Sequence, residues 1–157
     1  MIKFINMTLE LSKELNNNID SKIKEYALFD SDFTEEYLYY QSKEAITDSI
    51  INNYVLAVYD NANIIGYLVL NIFIDENNIK GCNINPIIVF NKYRNKGYGY
   101  NTLNTLFESN IIKEDIKYYE CAIDKTNIES VALFNKLEFK KYNQNKNFIY
   151  MRKERVC

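Results

Sequence analysis

Six consecutive residues, Arg94-Asn95-Lys96-Gly97-Tyr98-Gly99, have the composition of a loop that holds a phosphate group. They follow an apolar run over residues 84–89 and precede a helical pattern. Glycine has no Cβ, so its backbone can turn sharply and approach a ligand closely. The free N–H groups of a first helical turn, helped by the helix dipole, attract anions. The sequence therefore predicts a site for a phosphorylated ligand or cofactor, although the same glycines would also suit a plain connection from strand to helix.

The length and composition indicate one domain over residues 1–157, because 157 residues suffice for one core but hardly for two. The formal net charge of −2 argues against a general nucleic-acid binder, which needs a basic face. No segment has the length of a membrane span, and the N-terminus does not resemble a signal peptide. We therefore expect a cytoplasmic protein with neither a nucleic acid nor a membrane as its partner.

Histidine is absent from the sequence, which excludes Ser–His and Cys–His nucleophile pairs and histidine metal sites. The three cysteines, Cys82, Cys121 and Cys157, lack metal-ligand spacing, and their odd number fits a reducing compartment. No metal is expected, and Cys121 is interpreted as a small buried hydrophobic residue.

The first third of the chain predicts one strand and two helices. Residues 1–7 alternate as a strand would, and Thr8 can cap the helix that follows. Apolar residues recur on that helix at every fourth position, namely Leu11, Leu15, Ile19 and Ile23. A second helix is predicted after Asp32, with one face formed by Phe33, Tyr37 and Tyr40.

The rest of the chain alternates strands and helices. Strands are predicted over residues 54–59 and 64–74, before Val89, and over 117–124, 139–142 and 148–152. One helix face is predicted from Leu103, Leu106, Phe107 and Ile111, and a second, short helix over residues 128–137. Hairpins followed by strand–helix units indicate a mixed α/β sheet.

Two signatures in this chain resemble those of the GNAT superfamily, the acyl-CoA-dependent N-acyltransferases. In the first, Val89 stands five positions before Arg94, and Gly97 and Gly99 complete the family's Arg/Gln-x-x-Gly-x-Gly pattern. In the second, an asparagine opens a short helix that closes on Leu-Gly-Phe. This chain has Asn127 and then Leu137-Glu138-Phe139, with Glu138 in place of the glycine.

The resemblance implies a single-domain GNAT-like α/β (α+β) fold and acetyl-CoA as co-substrate, without a metal. In that family the sheet is mixed, mostly antiparallel, with about seven strands and about four helices. The backbone amides of Arg94, Asn95, Lys96, Gly97, Tyr98, Gly99 and Tyr100 would bind the cofactor pyrophosphate. Pantetheine would lie along Ile87 and Val89, between that strand and the strand over residues 117–124. Asn127 and Phe134 complete the expected cofactor site.

The implied reaction is acetyl transfer to a primary amine, by direct attack in a ternary complex. The Val89 N–H would donate to the thioester oxygen, whose charge grows during attack. Glu120 is a candidate base, acting directly or through water, although a strand carboxylate that faces solvent is the ordinary alternative. Phe134 occupies the position of a tyrosine that protonates the leaving thiolate in many relatives, and it cannot donate a proton.

Several alternatives stay open at the level of the sequence. The chain could bind acyl-CoA as a regulatory or degenerate domain without turnover, or be a nucleotide-binding α/β domain. Against the nucleotide-binding alternative, this chain lacks the Gly-Lys-Ser/Thr ending of a phosphate loop. Asn127 also lies in a potential capping box formed by Thr126 and Glu129, which would start a helix without any ligand.

The acceptor is expected to be a small-molecule amine or a peptide amine. The acidic residues Asp30, Asp32, Glu35 and Glu36 could attract a cationic substrate, or could favour the dipole of a first helical turn. Tyr142 or Tyr150 could line the acceptor pocket. Homodimers are common in the family, although no segment of this sequence specifies an interface.

Overall fold

The computed structural model describes residues 1–26 and 50–156, which form one seven-stranded sheet and four α-helices. The strands are β1 (Ile2–Asn6), β2 (Ile50–Asp60), β3 (Asn63–Ile74), β4 (Lys80–Val89), β5 (Tyr118–Asp124), β6 (Lys140–Gln144) and β7 (Phe148–Glu154). The α-helices are α1 (Leu9–Leu15), α2 (Ser21–Tyr26), α3 (Tyr98–Glu108) and α4 (Ile128–Lys136). Short 3-10 turns cover Asn16–Asn18 and Asn91–Tyr93.

The strands lie in the order β1-β2-β3-β4-β5-β7-β6. Every neighbouring pair is antiparallel except β4 and β5, which are parallel and are connected through α3. A parallel pair needs such a crossover connection, whereas antiparallel strands can be joined by tight turns. The predicted mixed, mostly antiparallel sheet is confirmed.

Helices cover both faces of the central strands. Val55 and Ala57 of β2 pack in one buried cluster with Ile23 of α2. Leu56 of β2 points to the opposite face and packs in a second cluster with Leu103 of α3. Burial on both faces explains why these strands are almost continuously apolar in sequence instead of alternating.

The single helix predicted to carry Leu11 through Ile23 is wrong: α1 and α2 are separate short helices. Thr8 does cap α1, because its Oγ1 accepts a hydrogen bond from the Leu11 N–H at 3.1 Å. The break falls at Asn16–Asn18, a run of asparagines, and asparagine is in general a poor residue for a helix interior. Asp20 then starts α2 by accepting the Ile23 N–H at 2.9 Å.

Two further expectations need comment. The helix predicted to include Ile111 is shorter, since α3 ends at Glu108 and Ser109 closes its last turn through a bond to the Leu106 carbonyl at 3.1 Å. The second predicted helix, from Asp32 onward, lies outside the described residues, as do the acidic positions proposed to border the acceptor. In the part of the chain that is described, no helix is both long and apolar enough to cross a membrane.

Strands β4 and β5 part soon after they pair. They are paired only over Gly81–Asn83 and Tyr118–Glu120. Beyond that point β5 stays with β7 and β4 stays with β3 as far as Val89, so a cleft opens between them. We call this opening the β4–β5 cleft; its sides are residues 84–89 and 121–124.

A β-bulge in β4 accompanies the parting of the strands. Leu70 pairs with Ile84 but Leu68 pairs with Ile87, so two residues, one of them Pro86, lie opposite the single residue Val69. Proline has no N–H to donate to a neighbouring strand, which suits a position where β4 has left β5. The bulge shifts the register of β4 and thereby sets which of its polar groups face the cleft.

The close approach of β3 to β4 gives a stability test at Gly66. A Cβ there would overlap the Ile88 carbonyl oxygen and lie 3.2 Å from the Val89 Cα, so Gly66→Ala must push two paired strands apart. We expect a loss above about 3 kcal/mol in the free energy of unfolding, measured in urea. Gly97→Ala is the matched control, because its φ of 81° costs about 1–2 kcal/mol but its Cβ meets no atom within 4 Å. Equal losses for the two variants would contradict this assignment.

Candidate cofactor and acceptor sites

The predicted phosphate loop connects β4 to the first turn of α3. Asn95 and Gly97 both have positive φ, 61° and 81°, which turns the chain so that α3 begins at Tyr98. No side chain caps this helix, and its first bond within the helical pattern is from the Asn101 N–H to the Gly97 carbonyl at 3.1 Å. The N–H groups of Tyr98, Gly99 and Tyr100 therefore come before the first bond of the helical pattern and can bind an anion.

A cavity of about 410 Å³ lies at this helix N-terminus and runs along the end of β4. It is lined by all but two of the residues predicted to bind the cofactor: Ile87, Val89, Arg94, Asn95, Gly97, Tyr98, Gly99, Tyr100 and Asn127. The opposite wall belongs to α2 and α4, through residues that include Lys22 and Leu133. We call this space the cofactor cavity.

The end of β4 presents polar backbone groups to the cleft. The Phe90 N–H bonds the Ile65 carbonyl at 2.8 Å, which makes Phe90 a hydrogen-bonded position of the β3–β4 ladder. Positions in an antiparallel ladder alternate, so the N–H and C=O of Val89 and of Ile87 face away from β3. An extended ligand in the cleft can therefore bond to both residues.

Arg94 does not extend into solvent but ties three parts of the site together. Its Nε–H donates to the Val89 carbonyl at 2.9 Å, and its Nη1 and Nη2 donate to the Asp20 carboxylate at 2.8 and 3.3 Å. Burial alone would raise the pKa of Asp20, but the hydrogen bond from Arg94 holds it below its ordinary value. Because Asp20 also starts α2, this ion pair docks α2 against the phosphate loop.

The side chain of Tyr98 reaches the end of β2, beside the β2–β3 turn. Its hydroxyl donates to Asp60 at 2.6 Å, and Asp60 also binds the N-terminal ammonium of Met1 at 2.8 Å. The hydrogen bond to this carboxylate raises the pKa of Tyr98, so the hydroxyl stays protonated. Only the backbone of Tyr98 is therefore placed to meet a phosphate.

Asn127 starts α4 as its N-cap residue. The Asn127 Oδ1 accepts a long hydrogen bond from the Ser130 N–H at 3.4 Å. Thr126 donates its hydroxyl to Asp124 at 2.6 Å, and Glu129 pairs with Lys22. Asn127 is thus both a weak helix cap and a residue of the cavity wall.

Two predicted cofactor residues lie apart from the cavity wall. Phe134 is only 3% exposed and packs in the core, its ring 4.9 Å from that of Phe139 in an edge-to-face arrangement. Lys96 is exposed at the tip of the loop. Glu138 adopts a φ of 67°, a conformation that glycine takes without strain, where the family pattern has glycine.

A second cavity, of about 360 Å³, lies where β4 and β5 part, and Glu120 lines it. Asn71 and Asn83 line it from β3 and β4, and Tyr142 and Tyr150 from the final hairpin. We call it the acceptor cavity, since it contains the candidate base and the two tyrosines that the sequence suggested.

Glu120 is held by partners that sequence reasoning missed. Its Oε2 accepts bonds from the Tyr142 hydroxyl at 3.1 Å and from Arg152 Nη2 at 3.0 Å. The Arg152 guanidinium lies between the rings of Tyr118 and Tyr142, 4.1 and 4.4 Å from their centroids. Burial lowers the pKa of Arg152, but its bond to Glu120 outweighs this, and the pKa lies above its ordinary value. A fixed positive charge therefore stands beside the carboxylate.

Cys82 and Cys121 are not placed to act as nucleophiles in either cavity. Cys82 and Cys121 are buried, and burial raises the pKa of both thiols well above the usual range. The thiolate is the reactive form, so these residues act as small apolar side chains. In the described ranges no cluster of three or more cysteine or carboxylate side chains could hold a metal ion.

An open sheet with a cleft beside a glycine loop and an uncapped helix defines an α/β protein suited to an extended, phosphorylated ligand. Residues 20–139 match the family model of the acetyltransferase (GNAT) family. The chain therefore belongs to the GNAT acetyltransferases, as the two sequence signatures indicated. No curated protein sequence matches it.

Solved structures share this fold at low sequence identity. The Campylobacter jejuni N-acetyltransferase PseH is 18% identical, with a TM-score of 0.66 over 99% of each chain. Spermidine N-acetyltransferase from Vibrio cholerae, in complex with CoA and spermine, is 15% identical, with a TM-score of 0.73 over 98% of this chain and 95% of that one. Aminoglycoside acetyltransferase AAC(6')-Ib, in complex with coenzyme A, is also 15% identical, with a TM-score of 0.75 over 99% and 95%.

The Asp20–Arg94 pair generates a pH-dependent stability prediction. Asp20→Asn removes the charge but keeps an oxygen for the Ile23 N–H, and we expect a loss of about 1–2 kcal/mol at pH 7. The folded-state pKa of Asp20 lies below its ordinary 3.8, so this stability is present above pH 3.8 and disappears as pH falls through the folded value. Urea unfolding of wild type and variant from pH 7 to pH 3 measures the difference.

Glu10→Gln is the control for this experiment, because it removes an exposed carboxylate from α1. It should change the free energy of unfolding little at any of these pH values. A difference between wild type and Asp20→Asn that stays constant down to pH 3 would contradict the role given to this ion pair.

Proposed function

We propose that this protein is an N-acetyltransferase that transfers an acetyl group from acetyl-CoA to a primary amine in a ternary complex. The observation that carries the proposal is that one cavity joins the uncapped N-terminus of α3 to the outward-facing polar groups of β4. A ligand with a phosphate at one end and an amide-rich arm fits both features at once. The family membership and the neighbours that contain CoA support the same ligand.

The geometry of the chain supports the following cofactor-binding roles. The N–H groups at the start of α3 would bind the pyrophosphate, and Ile87 and Val89 would bond the pantetheine amides. The Val89 carbonyl already accepts the Arg94 Nε–H, so Val89 offers chiefly its N–H to the ligand. That N–H is our proposed donor to the thioester oxygen, where negative charge develops.

The acceptor would lie in the acceptor cavity, next to Glu120. An amine with a pKa near ~10 is almost entirely protonated at pH 7, and the ammonium ion must first lose a proton to solvent before its nitrogen can attack. As the amine nitrogen bonds to the acyl carbon and the carbon–sulfur bond breaks, the Glu120 carboxylate accepts one of the two protons that the nitrogen still carries, directly or through water. The departing thiolate, whose pKa is about 8–9, takes its proton from solvent. Arg152 and Tyr142 hold the carboxylate in position.

The acceptor amine belongs to a small molecule or a peptide. The structural neighbours include a spermidine acetyltransferase and an aminoglycoside acetyltransferase, and these favour a small amine.

Phe134 favours a second candidate function, a domain that binds acyl-CoA without turnover. Its ring is buried in the core and carries no hydroxyl, so it cannot protonate a leaving thiolate. The two functions differ in one measurement, the release of free CoA thiol in the presence of a panel of amines. Thiol release that requires an amine supports the enzyme, and cofactor binding without release supports the second candidate.

Gly97 supplies the test of cofactor binding. Acetyl-CoA at a hundred times its Kd should stabilise the protein by about 2.7 kcal/mol, a shift of several degrees in Tm. Gly97→Glu should abolish this shift, because a carboxylate would stand where the phosphate binds. Gly97→Ala has the same positive φ without the charge and should keep most of the shift.

ATP and NAD serve as the control ligands in that thermal unfolding experiment. Neither should shift the Tm of the wild-type protein. No shift with saturating acetyl-CoA, or an equal shift in Gly97→Glu, would refute the proposed cofactor site.

Glu120 supplies the test of the acceptor cavity. Glu120→Gln keeps the shape of the side chain but cannot accept the proton, so kcat should fall about 100-fold. The Kd for acetyl-CoA should not change, because Glu120 lies in the other cavity. Glu154→Gln is the matched control, since it removes an exposed carboxylate at the end of β7. A kcat of Glu120→Gln equal to that of wild type would show that Glu120 is not the base.

A further inference from the structure

An ion pair joins the two helices that form the outer wall of the cofactor cavity. Lys22 Nζ of α2 lies 2.6 Å from Glu129 Oε2 of α4, and both residues line the cavity. The two side chains are partly open to solvent, with 37% and 65% of their surfaces exposed. Exposed pairs of this kind contribute little to stability, so the pair calls for another explanation.

The pair is not needed to hold α2 in place. Asp20 already anchors the start of α2 to Arg94, and Ile23 is buried among residues of the sheet and Phe90. Glu129 in the first turn of α4 favours the helix dipole without any partner. Neither helix therefore requires Lys22 and Glu129 to meet, and their contact places a lysine ammonium at the cavity.

The charges in the cavity show what this ammonium can do. Arg94 is neutralised by Asp20, so its side chain is not free to bind an anion. The other lysine of the cavity wall, Lys136, lies 4.6 Å from the centre of the Tyr100 ring. Lys22 is thus a cation of this cavity whose present partner, Glu129, is an exposed carboxylate that can be exchanged for a phosphate.

We propose that Lys22 binds a phosphate group of the cofactor, and that Glu129 holds Lys22 at the cavity until the phosphate replaces it. This inference rests on the proposed function. Glu129 would then be left beside an anion, and the repulsion between them lowers the affinity of the cofactor. Lys22 and Glu129 therefore have opposite effects on CoA binding.

A different role for the pair, a clasp that closes over the ligand, makes the opposite prediction for Glu129. Removal of either partner would open a clasp, so both variants would bind CoA more weakly. The sign of the effect at Glu129 separates the two roles. The direction of that change is measurable without any catalytic activity.

The experiment is isothermal titration of CoA into the wild-type protein, Lys22→Met and Glu129→Gln. Methionine keeps the length of the lysine stem, and glutamine keeps the shape of the carboxylate. We expect the Kd to rise about tenfold in Lys22→Met and to fall about threefold in Glu129→Gln. Lys24→Met and Glu108→Gln change the net charge equally at exposed positions outside the cavity wall, and should leave the Kd unchanged.

Two further ligands identify the group that Lys22 binds. Pantetheine has no phosphate, so its Kd should be the same in wild type and Lys22→Met. With dephospho-CoA, a persistent tenfold effect assigns Lys22 to the diphosphate, and loss of the effect assigns it to the 3′-phosphate. A rise in the Kd of CoA for both variants, or an equal effect on pantetheine, would overturn the proposal. Failure of the wild-type protein to bind CoA would refute the proposed function instead.

Discussion

The site depends on one constraint, that β4 cannot remain paired with both of its neighbours. Three residues of β4 pair with β5, and the bulge around Pro86 then carries β4 away with β3 alone. The polar groups that lose their partner strand are those of Ile87 and Val89, at the edge of the cofactor cavity. The same parting opens the acceptor cavity beside Glu120. The same irregularity of the sheet therefore accompanies both cavities.

Arg94, one of the cationic side chains of the phosphate loop, serves mainly to support the fold. Its guanidinium is occupied by Asp20 and by the Val89 carbonyl, so in the proposed complex anion binding by this loop would fall to the backbone amides of the loop and of α3. Amides fixed by a left-handed turn at Gly97 would need no reorganisation when the ligand arrives. The arginine contributes indirectly, because it fixes the distance between the end of β4 and α2.

Local signals in the sequence predicted much of this structure, but they could not predict which residues far apart in the sequence form pairs. Gly97 and Thr8 act through neighbouring backbone, so their roles can be inferred from a few adjacent residues. By contrast, Arg94 and Asp20 are 74 positions apart, and each could have been an ordinary solvated charge. The regular spacing of Leu11 through Ile23 predicted one helix, because spacing shows which side of a helix is buried but not whether the helix is continuous. The 3-10 turn at Asn16–Asn18 interrupts it. The sequence alone could not show which charged side chains pair with each other in the folded protein.

In the reaction we propose, Glu120 receives a proton during acyl transfer instead of deprotonating a free ammonium ion beforehand. A carboxylate is in general a much weaker base than an amine, so it competes poorly for the proton of a solvated ammonium ion. Once nitrogen bonds to the acyl carbon, however, the protons on that nitrogen become far more acidic, and a weak base can remove one of them. Arg152, which contacts the rings of Tyr118 and Tyr142 and bonds Glu120, would hold the carboxylate in place for that transfer. The proposed proton transfer is therefore tied to bond formation, so that the neutral amine is required only at the moment of attack.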